Sequence, residues 1–294
     1  MKDLDPSVNE RDFVLKALEE CIRIDSRTVE EFRPIKIVFG EEYGLVDVRV
    51  GKTRIIVRIS AEVTRPYSDR PFEGIFVINT EVSPMASSVF EAGRQSEEEV
   101  IISRLIEKAI RRSRALDTES LCIMAGKKCW CLRADVHYLS HDGGLVDATC
   151  IAVIAGLLHF RRPDVTVEGE DVTIHPPSER VPVPLAVMHI PICITFSFFL
   201  SGTVSIVDAD LREERLREGE MTITLNKHHE ICQVSKAGGV AMQPHEIMNC
   251  MKLALVRVTE ISDLLAKALE EDKTNREKQN TFRETAENER YIQG

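Results

Sequence analysis

Two glycine pairs set the frame into which this chain must fold. Gly143-Gly144 and Gly238-Gly239 each follow a run of short alternating segments, and each precedes an apolar helical stretch. A glycine pair supplies the left-handed backbone that a strand-to-helix joint needs. Before the first pair, alternation predicts strands at Ile35–Phe39, Gly44–Val50, Thr53–Ser60, Phe72–Ser83, Leu121–Ala125 and Cys129–Tyr138. The segments Gly40 to Gly44, Gly51-Lys52 and Gly126-Lys127-Lys128 sit where turns belong. Before the second pair the strands fall at Met188–Phe199, Val204–Asp208, Met221–Leu225 and Ile231–Lys236. The helices that follow run from Leu145 to Phe160 and from Pro244 to about Leu269. The first is apolar nearly all round, which predicts burial between layers. One order used twice predicts an α+β fold of two related halves, with mixed sheets and helices packed between them.

The remaining segments frame these halves. Asn9–Cys21 reads as an amphipathic helix with Phe13, Leu15, Leu18 and Cys21 as its apolar set, followed by a charged turn, Arg23-Ile24-Asp25-Ser26-Arg27. Pro163, Pro176, Pro177, Pro182 and Pro184 cluster around a small hairpin, Thr166–Glu168 with Val172–His175. The expected organisation is an N-terminal helix and turn (1–30), a first half (31–162), a linker with the hairpin (163–187) and a second half (188–269). A charged tail or frayed helical extension (270–294) completes it.

Charge excludes some function classes. The 294 residues carry a formal charge of −10, so a general coating of nucleic acid is excluded and any such partner must meet a local patch. No apolar run approaches the ~20 residues of a membrane helix. Met1–Val14 has no leader-like apolar core, and the eight cysteines show no paired zinc spacing. Reduced thiols and an intracellular protein are the expectation.

One patch stands out against the acidic whole. Ser96 and Glu99 have the spacing of a capping box, and Glu97 to Glu99 favour a helix N-terminus. Along Ser96–Asp117, Ile102, Leu105, Ile106, Ala109 and Ile110 gather on one face. At about 100° per residue, Arg104, Lys108, Arg111 and Arg112 fall roughly 140° from its centre. Such a stripe is either a solvated face or a grip for an anionic partner.

The order of Arg23-Ile24-Asp25-Ser26-Arg27, Pro71-Phe72-Glu73-Gly74, the basic helix and Asp142-Gly143-Gly144 resembles the ribonuclease PH family over roughly Phe13 to Ala268. The runs Arg133–Leu139 and His189–Ile192 resemble its non-catalytic members, ring subunits of the eukaryotic RNA exosome. The resemblance implies two RNase PH-like halves. For active members it implies phosphorolysis, in which inorganic phosphate attacks the last phosphodiester of an RNA 3′ end and releases a nucleoside diphosphate. Active members follow Asp-Gly-Gly with a hydroxyl residue and an arginine that clasp phosphate at a helix N-terminus. Here Leu145, Val146 and Asp147 occupy those positions, so the phosphate site is expected to be lost and a carboxylate to stand in its place. Asp208 matches the family's first carboxylate and Glu214 stands for the second. Asp208 reads by default as a strand-end turn and Glu214 as a solvated side chain. Two acids alone under-coordinate a metal, and no cofactor is implied.

The resemblance also implies that the basic helix lines the RNA path through Arg104, Lys108 and Arg111, with Arg112 beside them. Arg133 and Lys127-Lys128 are candidate extensions of that stripe. Phe72 is the best stacking candidate, with core packing as its default role. Ser26 stands where the family prefers glycine. His137, His141 and His189 lack a metal-ligand spacing and read as structural. The implied function is a structural, RNA-path-lining subunit of a six-membered ring for 3′-to-5′ RNA processing and degradation, itself without phosphorolytic activity. The alternative is an active phosphate-dependent 3′–5′ exoribonuclease. Implied partners are other RNase PH-like subunits, cap subunits with S1 or KH modules, a hydrolytic nuclease subunit and single-stranded RNA, in the nucleus, nucleolus and cytoplasm.

Overall fold

The computed structural model describes residues 6–87, 90–91, 93, 96–169, 171–176 and 179–291, with side chains of the last helix described to residue 278. Pro177, among the linker prolines, lies outside the described residues, as does part of the N-terminal stretch Met1–Val14.

Helix α1 (Val8–Glu19) opens the chain behind a complete capping box of Ser7 and Glu10. Strands β1 (Ile35–Phe39), β2 (Leu45–Val50) and β3 (Thr53–Thr64) form the antiparallel meander that alternation predicts. Strand β4 (Ile75–Val82) does not extend it. After helix α2 (Glu97–Glu107), short β5 (Cys122–Met124) leads into β6 (Lys128–Ser140), and β6 inserts between β3 and β4 to give the order β1-β2-β3-β6-β4. Strand β6 pairs antiparallel with β3 and parallel with β4. A parallel pair requires a long crossover, and the stretch containing α2 supplies it.

Helix α3 (Leu145–His159) then enters the interior, where thirteen of its 15 residues are buried. That fits its apolarity on every side. Two-residue strands β7 (Arg161–Arg162) and β10 (Val183–Pro184) pair with each other around the hairpin β8 (Val165–Glu168) and β9 (Asp171–Ile174). The second sheet has the order β12-β11-β13-β14, from β11 (Ile192–Phe199), β12 (Val204–Val207), β13 (Gly219–Leu225) and β14 (Ile231–Ser235). Between β12 and β13 a short helix, α4 (Leu211–Leu216), starts on its own capping box of Asp210 and Glu213. Helix α5 runs from Pro244 to Tyr291.

One apolar core joins both halves. It runs from β2 and β3 through α3 to β11, β13 and the first turns of α5. A smaller cluster of Val14, Leu18, Phe199, Ile206 and Ala209 seats α1 on the second sheet. The apolar face of α1 is therefore Val14 and Leu18, an i, i+4 pair, with Leu15 partly buried beside them as expected, whereas Phe13 is 65% exposed and Cys21 is exposed.

Helix α5 continues past Leu269 because it gains a second anchor there. Arg276 donates to the carbonyls of Gly40 and Glu41 and to Asp272, and its guanidinium lies 4.6 Å from the Tyr43 ring centre. His159, at the end of α3, accepts the Gly44 N–H at Nδ1 (3.1 Å) and points Nε2 at Asp272 from 3.3 Å. Burial, with Arg276 close by, pushes the His159 pKa down to about 4. The ring is thus neutral in the fold, and the stability it supports is present above the ordinary value of 6.5 and lost as pH falls towards 4. Replacing Arg276 by Ala should lower the unfolding free energy by about 1–3 kcal/mol. Amide exchange beyond Asp272 should rise, readable by hydrogen–deuterium exchange.

Candidate functional site

The basic face is built as the caps predict. Ser96 and Glu99 cap α2 reciprocally, and the Glu99 carboxylate also takes the N–H of Val82, tying the helix to β4. Ile102, Ile106, Ala109 and Ile110 are buried, which leaves the opposite side to solvent. From Lys108 to Arg112 the α-helix gives way to a π-helical turn. A π turn takes an extra residue per revolution, so positions after Glu107 drift from the regular 100° spacing. Arg104, Lys108, Arg111 and Arg112 nevertheless all remain exposed.

Glu107 sits between two of them, 3.0 Å from Arg104 and 3.4 Å from Arg111. A broad hollow of about 1000 Å³ opens here, where Arg70, Arg104, Lys108, Arg111, Arg112 and Arg114 outnumber Glu73, Glu107, Asp117 and Glu119. Phe72 is 66% exposed in the loop before β4. It is not a core residue, so the packing role expected of it is not met. Arg133 is exposed on β6 but paired with Asp135 at 2.9 Å, and Lys127 closes the β5–β6 turn by its N–H to the Met124 carbonyl. His137 stands 3.4 Å from Glu81 at the surface, His141 accepts the Gly143 N–H, and His189 bonds the Ser113 carbonyl at 2.8 Å.

A second cluster forms where α3 begins. Gly143 (φ +80°) and Gly144 (φ +67°) both take the left-handed conformation the joint requires. A Cβ on Gly143 would lie 2.6 Å from the Ala209 carbonyl, and one on Gly144 2.5 Å from the Arg33 guanidinium. Only glycine lets the segment after β12 approach so closely. That segment carries Asp208, itself at φ +50° and buried. Its carboxylate accepts from the Arg33 N–H (2.8 Å), Arg33 Nε (2.9 Å), Arg33 Nη2 (2.6 Å) and Arg27 Nη1 (3.1 Å). Arg23, also buried, donates to the carbonyls of Val207 and Asp208 and to Glu213. The charged turn Arg23–Arg27 therefore folds inward onto the second half. Ser26 within it has φ +64°, the conformation that makes glycine favourable there.

Two expectations need correction. Glu214 is not solvated: it is largely withdrawn from water, and its Oε1 accepts the Gly144 N–H at 2.9 Å, with Arg217 at 3.7 Å. Burial pushes its pKa up to about 7, against the pull of the Gly144 N–H and Arg217. Asp147 does not stand at the mouth of α3. It is buried and turned to β11, where it accepts from the Thr195 N–H (2.9 Å) and hydroxyl (2.7 Å). Burial raises its pKa to about 8. The carboxylate at the helix N-terminus is Glu214, 70 residues downstream of Gly144, and no local pattern announces that contact. Leu145 and Val146 line a cavity of about 500 Å³ with Glu214, Arg217 and Glu220. Among the described residues no group of three or more His, Cys, Asp or Glu side chains is placed to hold a metal ion.

Because Asp147 keeps its proton more tightly in the folded than in the unfolded chain, its contribution is full below its ordinary value of 3.8 and is lost as pH rises to about 8. Glu214 acts in the same sense between 4.5 and about 7. Melting temperature should therefore fall from about pH 6 to about pH 8.5, and Asp147→Asn should flatten the fall, since an amide keeps the shape and carries no charge. Thermal melts across that range check it.

Residues 31–163 match the 3′ exoribonuclease family, domain 1, and residues 189–257 match its domain 2. The exosome complex component rrp45 of Schizosaccharomyces pombe is 56% identical over 289 residues, covering 98% of this chain and 99% of that one. The human exosome complex component RRP45 is 46% identical over 96% of this chain and 64% of its own length. An Archaeoglobus fulgidus exosome structure with RNA bound to the active site superposes with a TM-score of 0.76 at 27% identity, covering 86% of this chain and 96% of that one.

Proposed function

The chain belongs to the ribonuclease PH family of 3′ exoribonucleases, and from that premise we propose that it serves an exosome by holding RNA while breaking no bond itself. It is an exosome ring subunit, set among other RNase PH-like chains. The non-catalytic part of the reading is carried by one observation, the Glu214 carboxylate on the Gly144 N–H. Phosphorolysis needs an inorganic phosphate seated beside the RNA end. At the start of α3 the Glu214 carboxyl already takes the first amide, and above about pH 7, where it is ionised, a second anion there also meets repulsion. Arg33, the nearest buried cation, is committed to Asp208. Asp208 in turn holds the N-terminal segment in place, a structural use for an acid that active members need for chemistry.

The RNA-holding part rests on the basic hollow. Exposed guanidinium and ammonium groups at Arg104, Lys108, Arg111 and Arg112 suit a sugar–phosphate backbone and read no sequence, and Phe72 offers a flat face for a base. Single-stranded RNA passes along this face. Cap subunits with S1 or KH modules and a separate hydrolytic nuclease complete the particle, which works in nucleus, nucleolus and cytoplasm.

Rings assembled with this chain and with its Glu214→Gln variant, whose amide oxygen can still accept the Gly144 N–H, should show the same phosphate-dependent release of nucleoside diphosphate per ring. Release that vanishes with the variant overturns the non-catalytic reading. Reversing charge at Lys108 and Arg111 should leave assembly intact and weaken RNA protection. It should also reduce the slope of log K against log salt by about 0.7 for each single-strand phosphate that the face ceases to neutralise. Collapse of assembly would instead assign the stripe to protein neighbours.

A further inference from the structure

The outer edge of the first sheet is left open in a way the other edges are not. At the far side of that sheet β1 carries Lys36, and Arg276 of α5 bonds the carbonyls just after it. In the second sheet, Val207 of β12 donates to the Val29 carbonyl, and β14 meets β13 through a register shift at Thr224/Leu225. Lysines, covering segments and bulges are the devices that blunt an edge. Strand β4, Ile-Phe-Val-Ile-Asn-Thr-Glu-Val, has no lysine, no proline and an unbroken register with β6 from Ile75↔Cys131 to Val82↔Tyr138.

Its two ends show which backbone groups look outward. The Gly74 N–H donates to the Thr118 carbonyl (2.8 Å), and the Val82 N–H donates to Glu99 (2.9 Å). Strand residues alternate flanks, so Phe76 and Ile78, between those capped ends, turn the same way, and among the described residues no strand lies beyond them. Beside this edge runs a groove of about 320 Å³, walled by the run from Gly74 to Ile78 and by Val100 and Arg104 of α2. Val77 is 41% exposed and Val100 42% exposed. Arg70 and Arg104 stand at its rim, both exposed and each in a surface ion pair, Arg70 with Glu73 (3.5 Å) and Arg104 with Glu107 (3.0 Å).

We propose that β4 receives an extended strand from a neighbouring ring subunit, which pairs with Phe76 and Ile78 through its backbone. That strand sets apolar side chains on both faces, one against Val100 on the α2 side and one against Val77 on the opposite side, and a carboxylate towards Arg70. The chemistry favours a polypeptide over RNA. An open strand edge asks for amides and carbonyls at a strand's repeat, which a sugar–phosphate chain does not present, and exposed valines gain from apolar contact. The inference rests on the ring-subunit reading above.

Residue-resolved amide exchange on the full chain, alone and in the assembled ring, tests it. Assembly should slow Phe76 and Ile78 by more than about tenfold, while Val77 and Asn79, which face β6, hardly change. Val100→Asp should weaken ring incorporation by about tenfold or more and leave the melting temperature unaltered. A ring that forms with Phe76 and Ile78 still exchanging freely overturns this proposal and leaves the ring-subunit reading standing. A chain that joins no ring removes both. Slowing of the same amides by single-stranded RNA alone would give the groove to nucleic acid and overturn it too.

Discussion

A single buried carboxylate, Asp208, decides how three separate parts of the chain meet. Four donors from Arg33 and Arg27 converge on it, and Arg33 reaches on to the carbonyls of Asp142 and Gly143. The N-terminal segment, the start of α3 and the end of β12 are thereby fixed against one another. Removing one partner from such a buried pair typically costs about 3–5 kcal/mol, because the other charge is left unpaired in a poor solvent. The net gain over an apolar contact is smaller, so the value of this cluster lies in specifying geometry. Gly143 and Gly144 are part of the same constraint, since any side chain there would push the cluster apart.

The same arrangement explains the chemistry of the site. A phosphate-binding helix start needs free amides and an uncommitted cation. Here Gly144 is satisfied by Glu214, and the guanidinium beside it is held by Asp208. The family scaffold is kept, while in the reading proposed above its anion-holding groups are turned on each other. At the basic face the balance differs, for Glu107 occupies Arg104 and Arg111 only at the surface, where ion pairs are weak and readily exchanged for phosphate.

How much of this the sequence disclosed follows from the range of each signal. Alternation in β1 to β3, the capping box at Ser96 and Glu99, and the uniform apolarity of α3 are local, and each reads directly. The placing of β6 between β3 and β4 is not local, because pairing depends on which strand the crossover after β4 returns to. Asp147 stands in the first turn of α3 and reads as an acid at the helix mouth, yet its side chain is buried against β11 and meets Thr195 instead. Glu214 finds Gly144 only through the fold. Arg276, far along α5, owes its role to neighbours that are distant in sequence.

The π-helical turn at Lys108–Arg112 also bears on how the chain tolerates change. Such a turn behaves as one surplus residue housed inside an otherwise ordinary helix. Excising a single residue there would restore regular winding while the segments on either side kept their facing. Ala115 and Leu116 would stay in the interior, and the pairing of Leu116 with Val187 of the linker would be kept. The junction is thus a place where the chain can lose one position without losing the packing on either side.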